Sequence, residues 1–581
     1  MALVAALLCV SLGLVASQSI SCPVTELDGS TKVFTLDRFD PAAATSQLGS
    51  RPSASDCPSP QQVPAGSKAP YILGTATAAY QVEGNVKAGR RGESIWDVFS
   101  HTPSKTFQGQ TGDTAVDFYN RYKDDVALMR TLGLRNFRFS LSWTRIFPNG
   151  TGAVNQEGVD FYNKLIDSLK AACIEPHITL YHWDFPQALY QQYGGWIDPR
   201  VVVDFTAYAE TAFELFGDRV KNWYTLNEPE TYCALGYLSG VHAPGRCTDR
   251  SRCSAGEEGE DLKCIYYSAL AHASAVRVFR QLVPDGTIAM TNAIGMNVPY
   301  NASSPDDVAA ALRNQAFSGG LVLDPVYTGD WGTERKQVHG KDLPAFTPDQ
   351  KALLLENQQD FVALQHYTSS YAYYNKDKPP LYVDTTTKSI DGVQLVQADS
   401  PWLCVFPSAM RDLLNWLSQR YNASILITEN GVSAPGEYDK PRSEVLCDQF
   451  RLSYFQQYIS NATAAVQQDG VNLIGYFAWS LLDNFEWADG YSKRFGTVYV
   501  DYSSPNLDRY YKGSSMWLSN HFGLTSIRSA PSANDTCSTS SPPSPPAAAE
   551  PPAGAPGGAP APAGGQPGRS PPPARDERTG S

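Results

Sequence analysis

Eight short apolar runs, separated by stretches with helical periodicity, recur between Lys68 and Leu524. The strand-like runs are Tyr71–Ala76, Asn136–Trp143, Glu175–Trp183, Asn222–Asn227, Thr287–Ala293, Asp360–Tyr367, Ser424–Glu429 and Leu473–Trp479. Helical patterns such as Val116–Leu132, Val159–Ala172, Val201–Phe216 and Cys264–Leu282 lie between them. Strands that alternate with amphipathic helices bury both faces by forming a parallel sheet wrapped in helices. Eight such units predict a single (β/α)8 TIM barrel with long βα loops, an α/β fold. No repeat of about 20–50 residues is present, which argues against a solenoid or propeller.

Polar and aromatic residues gather at the carboxyl ends of these runs: Gln81, Arg138, His182, Trp183, Asn227, Glu228, Tyr367, Glu429, Asn430 and Trp479. Barrel strands deliver those ends to one rim, where catalytic residues collect. The wider composition narrows the chemistry. Of 581 residues, 42% are apolar, enough for a large core, and 11% are aromatic. The net charge of −13 offers no basic excess to neutralise phosphates, so general nucleic-acid binding is excluded. No internal apolar run reaches the length of about 18 that a membrane span needs.

The two ends differ from the body. Residues 1–18 are apolar and finish in small residues, which predicts a signal peptide cut near Ala16 to Gln18; a buried N-terminal helix is the alternative. Eleven cysteines leave ten after such a cut, an even number that permits full pairing. Cys247 and Cys253 sit close together in a Gly-containing loop and suit a short disulfide in an oxidising compartment; two free thiols are the alternative. Five N-x-S/T sequons stand at Asn149, Asn301, Asn422, Asn461 and Asn534. Together these features predict a glycosylated, secreted protein, with vacuole or cell wall as possible destinations. Residues 19–67 form an N-terminal extension. Residues 525–581 form a Pro/Ala/Gly-rich tail, and Ser529–Ser581 alone holds 14 of the 41 prolines. So little apolar content cannot offset the entropy of ordering, so the tail is expected to be disordered.

Six motifs carry a resemblance. They are GTATAAYQVEG (Gly74–Gly84), FRFSLSWTRIFP (Phe137–Pro148), TLYHWDFPQAL (Thr179–Leu189), TLNEP (Thr225–Pro229), ITENG (Ile427–Gly431) and YFAWSLLDNFEWADGYSKRFG (Tyr476–Gly496). In this order and at this spacing, residues 68–524 resemble the glycoside hydrolase family 1 β-glucosidases. The resemblance implies a retaining mechanism, with Glu228 as acid/base and Glu429 as nucleophile. It implies that Arg138 and Tyr367 hold Glu429 ionised. It further implies sugar contacts from Gln81, His182, Trp183, Asn227, Trp479, Glu486, Trp487 and Phe495, and an aglycone-side contact from Trp402. Retaining cleavage needs two carboxyls about 5–5.5 Å apart. These two are 201 positions apart in sequence, a gap that strands four and seven of a barrel can close.

The resemblance implies a β-glucosidase acting on terminal non-reducing β-D-glucosyl residues of oligosaccharides or small glucosides. It implies no cofactor and no metal, since side chains alone suffice for proton transfer and covalent catalysis. Transglycosylation through the same intermediate and a non-catalytic, klotho-like binding protein are the alternatives. Glu486 disfavours a 6-phosphosugar, and Glu228 stands where thioglucosidases carry Gln. The sequence departs from the family pattern at Gln365, where Asn is usual two residues before the tyrosine. It also departs in the acidic loop Ser254–Lys263 and in the extension Cys22–Ser67. Oligomeric state is not readable from this pattern.

Overall fold

The computed structural model describes residues 19–45 and 71–522. The predicted signal peptide, residues 46–67 of the extension, the Pro-rich tail and Asn534 lie outside the described residues.

The eight runs form a closed parallel barrel. Its strands are β1 (Ile72–Ala76), β2 (Asn136–Ser140), β3 (Glu175–Tyr181), β4 (Asn222–Asn227), β5 (Thr287–Ala293), β6 (Val362–Gln365), β7 (Ile425–Asn430) and β8 (Leu473–Trp479). Each pairs with the next in sequence, and β8 closes on β1 with Gly475 opposite Ile72 and Trp479 opposite Ala76. Helices α1 (Phe118–Thr131), α2 (Gln156–Ala171), α3 (Arg200–Phe216), α4 (Glu260–Leu282), α5 (Pro305–Gly319), α6 (Pro348–Glu356), α7 (Ser408–Tyr421), α8 (Gln449–Asp469) and α9 (Gly513–His521) accompany the strands. This is the (β/α)8 TIM barrel expected from the alternation.

Three strands end earlier than their apolar runs. β2 stops at Ser140, before Trp143 enters a one-turn helix, and β3 stops at Tyr181. β6 stops at Gln365. In each case apolar or aromatic character continues into the rim, where side chains pack on neighbouring helices and loops rather than on the sheet. Trp143 is such a residue: it is buried, stacks on Tyr208 of α3 at 4.7 Å, and donates its indole N–H to Gly150 O at 2.9 Å.

Inside the barrel, Tyr224, Ala289, Phe361, Ala363, Leu426 and Phe477 form a compact plug. His177 caps it, with its ring edge-on to Phe477 at 4.9 Å and Nδ1 3.1 Å from the Tyr224 hydroxyl. Above this plug, Arg138 lies over the Tyr224 ring at 5.2 Å. The apolar floor keeps water away from the guanidinium from below, so its charge is directed toward the rim.

The described part of the extension is not a separate body. It forms a hairpin, Ile20–Thr25 paired with Thr31–Leu36, that runs along α8. Cys22 is bonded to Cys447, Gln449 donates to Pro23 O at 2.7 Å, and Gln456 donates to Thr25 O at 3.0 Å. Cys233 is bonded to Cys264, and Cys247 to Cys253. Cys404 is buried and free, so pairing does not extend to every cysteine that the even count allowed. Asn149 and Asn422 are exposed, and Asn301 and Asn461 are partly buried.

Candidate active site

The carboxyl ends of the strands surround a cavity of about 570 Å³. Glu228, one residue past β4, and Glu429, within β7, both line it. The strands bring together two carboxylates that the sequence keeps far apart.

Glu228 sits at the turn from β4 into the one-turn helix Pro229–Cys233, with φ 51°. A left-handed backbone is costly for a residue with a Cβ and persists only where its surroundings enforce it. Two contacts do so: Glu228 N donates to Thr291 O at 3.0 Å, and the Cys233–Cys264 bond ties the following helix to α4. At the end of β7, Gly431 is required for a different reason. A Cβ there would run into the Trp479 carbonyl, so only glycine lets β7 and β8 approach closely at the rim.

The two carboxyls have unlike surroundings. Glu429 Oε1 accepts from Arg138 Nη1 at 2.5 Å and from Gln365 Nε2 at 2.7 Å, and Oε2 accepts from the Tyr367 hydroxyl at 2.6 Å. Burial pushes its carboxyl up, and Arg138 and Tyr367 pull it back. Burial drives Glu228 well above the usual carboxylate range, and the nearby Glu429 and Glu230 push it further. No arginine or lysine bonds it among the described residues. In a coupled pair of this kind the shared proton belongs on Glu228, and Glu429 carries the charge. Burial, with the neighbouring Glu429 charge, also raises Tyr367 well above the ordinary phenol range, so its hydroxyl stays a donor.

His182, Trp183, Asn227, Trp402, Trp479, Glu486, Trp487 and Phe495 all line the same cavity. His182 is nearly parallel to Trp479 and Trp487, with ring centres 5.9 and 5.8 Å away. Its burial, aided by Arg138, holds it well below the ordinary histidine range, so it is neutral, and its Nδ1 has no hydrogen-bond partner. Trp183 adopts φ 75° and donates its indole N–H to Asn227 O at 2.8 Å. Trp402 stands at the mouth, 51% exposed, stacked toward Phe495 at 6.5 Å. Burial and the Asp489 charge raise Glu486 well above its ordinary range.

Gln81 and Arg138 are not among the residues that line the cavity, but Arg138 meets the reacting carboxylate as expected and Gln81 bonds Glu486, which does line it. Gln81 is fully buried and donates to Asn484 Oδ1 and Phe485 O, both at 3.0 Å, and to Glu486 Oε2 at 3.3 Å. Arg138 is likewise fully buried and works through Glu429 and Asn227. The loop after β8 that carries Glu486 and Trp487 is anchored by buried charges. Lys512 bonds Glu437 at 2.7 Å and Asp483 at 2.9 Å, and Arg494 bonds Asp483 at 2.7 Å.

Among the polar cavity residues whose place here was not read from sequence are Gln365, as a partner of Glu429, Glu230 and His242. Gln365 is the last residue of β6, two residues before Tyr367, and both side chains bond Glu429. Glu230 lies two residues past Glu228 and accepts from the Ala293 backbone N–H. No sequence pattern pointed to His242, which packs between Trp96 and Trp183. The acidic loop Ser254–Lys263 ends in a structural ion pair, with Arg246 bonding Glu260 at 2.5 and 2.8 Å.

A (β/α)8 barrel whose rim presents one shielded carboxylate and one protonated carboxyl to a common cavity is the apparatus of a retaining glycoside hydrolase. The profile of glycosyl hydrolase family 1 matches residues 66–523, and the chain belongs to that family. It is 42% identical over 473 residues to β-glucosidase 40 of Arabidopsis thaliana, covering 78% of this chain and 92% of that one. Its fold matches the crystal structure of a rice β-glucosidase with a TM-score of 0.74 at 42% identity, over 77% of this chain and 97% of the other. A mutant rice β-glucosidase captured in a covalent complex with Glc matches equally, with a TM-score of 0.74, 41% identity and the same coverage.

Proposed function

We propose that this protein is a retaining β-glucosidase that releases terminal non-reducing β-D-glucosyl residues from oligosaccharides or small glucosides. Glu429 is the nucleophile and Glu228 the acid/base. The observation that carries this assignment is the unlike environment of the two carboxyls: three hydrogen-bond donors on Glu429, and no cationic partner on Glu228.

In the first step, a Glu429 oxygen bonds to the anomeric carbon as its bond to the aglycone oxygen breaks, and Glu228 gives its proton to that leaving oxygen. The Glu429 charge is then gone, so the pKa of Glu228 falls. In the second step Glu228 takes a proton from water, the water oxygen bonds to the anomeric carbon, and the ester bond to Glu429 breaks. Two displacements on opposite faces return the β configuration. Asn227, His182 and Glu486 hold sugar hydroxyls, and an analogue lacking one leaves a buried polar group unpaired. Trp479 and Trp487 offer aromatic faces to the C–H side of the ring. Trp402 and Phe495 receive the aglycone, and an acceptor sugar stacked there supports transglycosylation by the same intermediate. The disulfides fit a secreted protein.

Glu429→Ala tests the assignment. Turnover of an aryl β-glucoside is expected to collapse, and unchanged hydrolysis contradicts it.

A further inference from the structure

Gln365 stands where the family usually carries asparagine, and the extra methylene gives its amide a wider reach. Its Nε2 lies 2.7 Å from Glu429 Oε1, 2.7 Å from Asn227 Oδ1 and 3.1 Å from Thr291 Oγ1. The side chain is fully buried, and its own carbonyl oxygen has no donor. The orientation of the amide is thereby pinned. Turned over, its carbonyl would face the Glu429 carboxylate, acceptor against acceptor.

Two consequences follow from this placement. Asn227 Oδ1 already accepts from Arg138 Nη2 at 2.6 Å and Thr291 Oγ1 at 3.0 Å, so Gln365 supplies a third donor. With its oxygen saturated, Asn227 has its Nδ2 free to meet a sugar hydroxyl. The Glu429 oxygens are also loaded unequally: Oε1 takes Arg138 and Gln365, whereas Oε2 takes only the Tyr367 hydroxyl. The less encumbered Oε2 is the oxygen free to attack, and Oε1 becomes the carbonyl oxygen of the ester.

We propose that Gln365 is a positioning residue that holds Glu429 Oε1 and Asn227 Oδ1 on one amide nitrogen, selecting Oε2 as the attacking atom and stabilising Glu429 as it departs from the sugar. The proposal rests on the reading of Glu429 as nucleophile. An ester carbonyl is a weaker acceptor than a carboxylate, so the Gln365 bond slackens in the intermediate. It tightens again as water bonds to the anomeric carbon, the ester bond breaks, its electron pair returns to Glu429 and a water proton passes to Glu228. The second step therefore draws on Gln365 more than the first.

The experiment is steady-state and rapid-mixing kinetics of the full-length protein with 2,4-dinitrophenyl β-D-glucoside, whose leaving group departs so readily that release of the enzyme-bound sugar limits turnover. Gln365→Met keeps the length and removes both N–H groups. It is expected to lower kcat about tenfold or more while kcat/KM changes by less than about threefold, so KM falls and a burst of dinitrophenol grows. Gln365→Asn keeps the amide but withdraws it, and shows the same split at smaller amplitude; it decides the matter if the methionine variant does not fold. Equal falls in kcat and kcat/KM, or no change in either, overturn the proposal. Persistent turnover by Glu429→Ala defeats the underlying reading instead, whatever Gln365 does.

Discussion

Arg138 reaches Glu429 Oε1 at 2.5 Å with neither side chain meaningfully open to solvent, 0% and 4% exposed. Removing one partner of a buried ion pair leaves the other charge stranded, at a cost of about 3–5 kcal/mol. Arg138→Met is therefore expected to lower kcat/KM roughly a hundredfold or more, with Glu429 drawn toward its protonated form. Aryl β-glucoside kinetics across pH check this, because the acid limb of the variant should move to higher pH.

Glu228 should set the basic limb of the wild-type profile. It must hold a proton for the first step, and burial raises its pKa well above the ordinary value. The pH profile of kcat/KM is expected to be a bell whose descending limb lies above the carboxylate range. Glu228→Gln, unable to give or take a proton, should flatten that limb. It should spare activated aryl glucosides in the first step far more than alkyl glucosides, a contrast measured by single-turnover assays.

Glu230 offers a stability test. Burial raises its carboxyl to about 8 from an ordinary 4.5. Between those values the folded chain binds a proton that the unfolded chain has released. The stabilisation is complete below the unfolded pKa and is lost as pH rises through about 8. Glu230→Gln removes this dependence, so the gap between thermal midpoints at pH 5 and pH 8.5 should narrow. The expected amplitude is ~1–2 kcal/mol, reduced by partial exposure of the residue to the cavity.

Trp402 stands at the mouth of the cavity, edge-on to Tyr367 at 5.7 Å and stacked toward Phe495, with no hydrogen bond to either carboxyl. Trp402→Ala should raise KM a few-fold for aromatic glucosides, consistent with the ~0.5–1.5 kcal/mol of a stacking contact. Inhibition by free glucose should be unaffected. Inhibition constants measured beside KM on a series of aglycones separate the two effects.

The barrel was legible because its signal is periodic: eight apolar runs survive any ambiguity about their ends. The carboxyl ends of β2, β3 and β6 were not legible, because Leu141, Trp143, Trp183 and Tyr367 have strand-like character whether they pack in a sheet or at the rim. The paired acids were legible through the motifs around Glu228 and Glu429. The partner of Cys22 was not, since no local pattern links it to Cys447, 425 residues away. Gln365 was visible as a departure from the family pattern. Its bond to Glu429 depends on how far an extra methylene carries an amide nitrogen, which only coordinates supply.

The most direct measurement is covalent capture. The full-length protein, incubated with 2-deoxy-2-fluoro-β-D-glucosyl fluoride and then digested, should yield one peptide carrying the fluorosugar on Glu429 by tandem mass spectrometry. Enzyme inactivation with the sugar on any other residue, or hydrolysis whose first-formed glucose is the α anomer, would contradict the double displacement at Glu429.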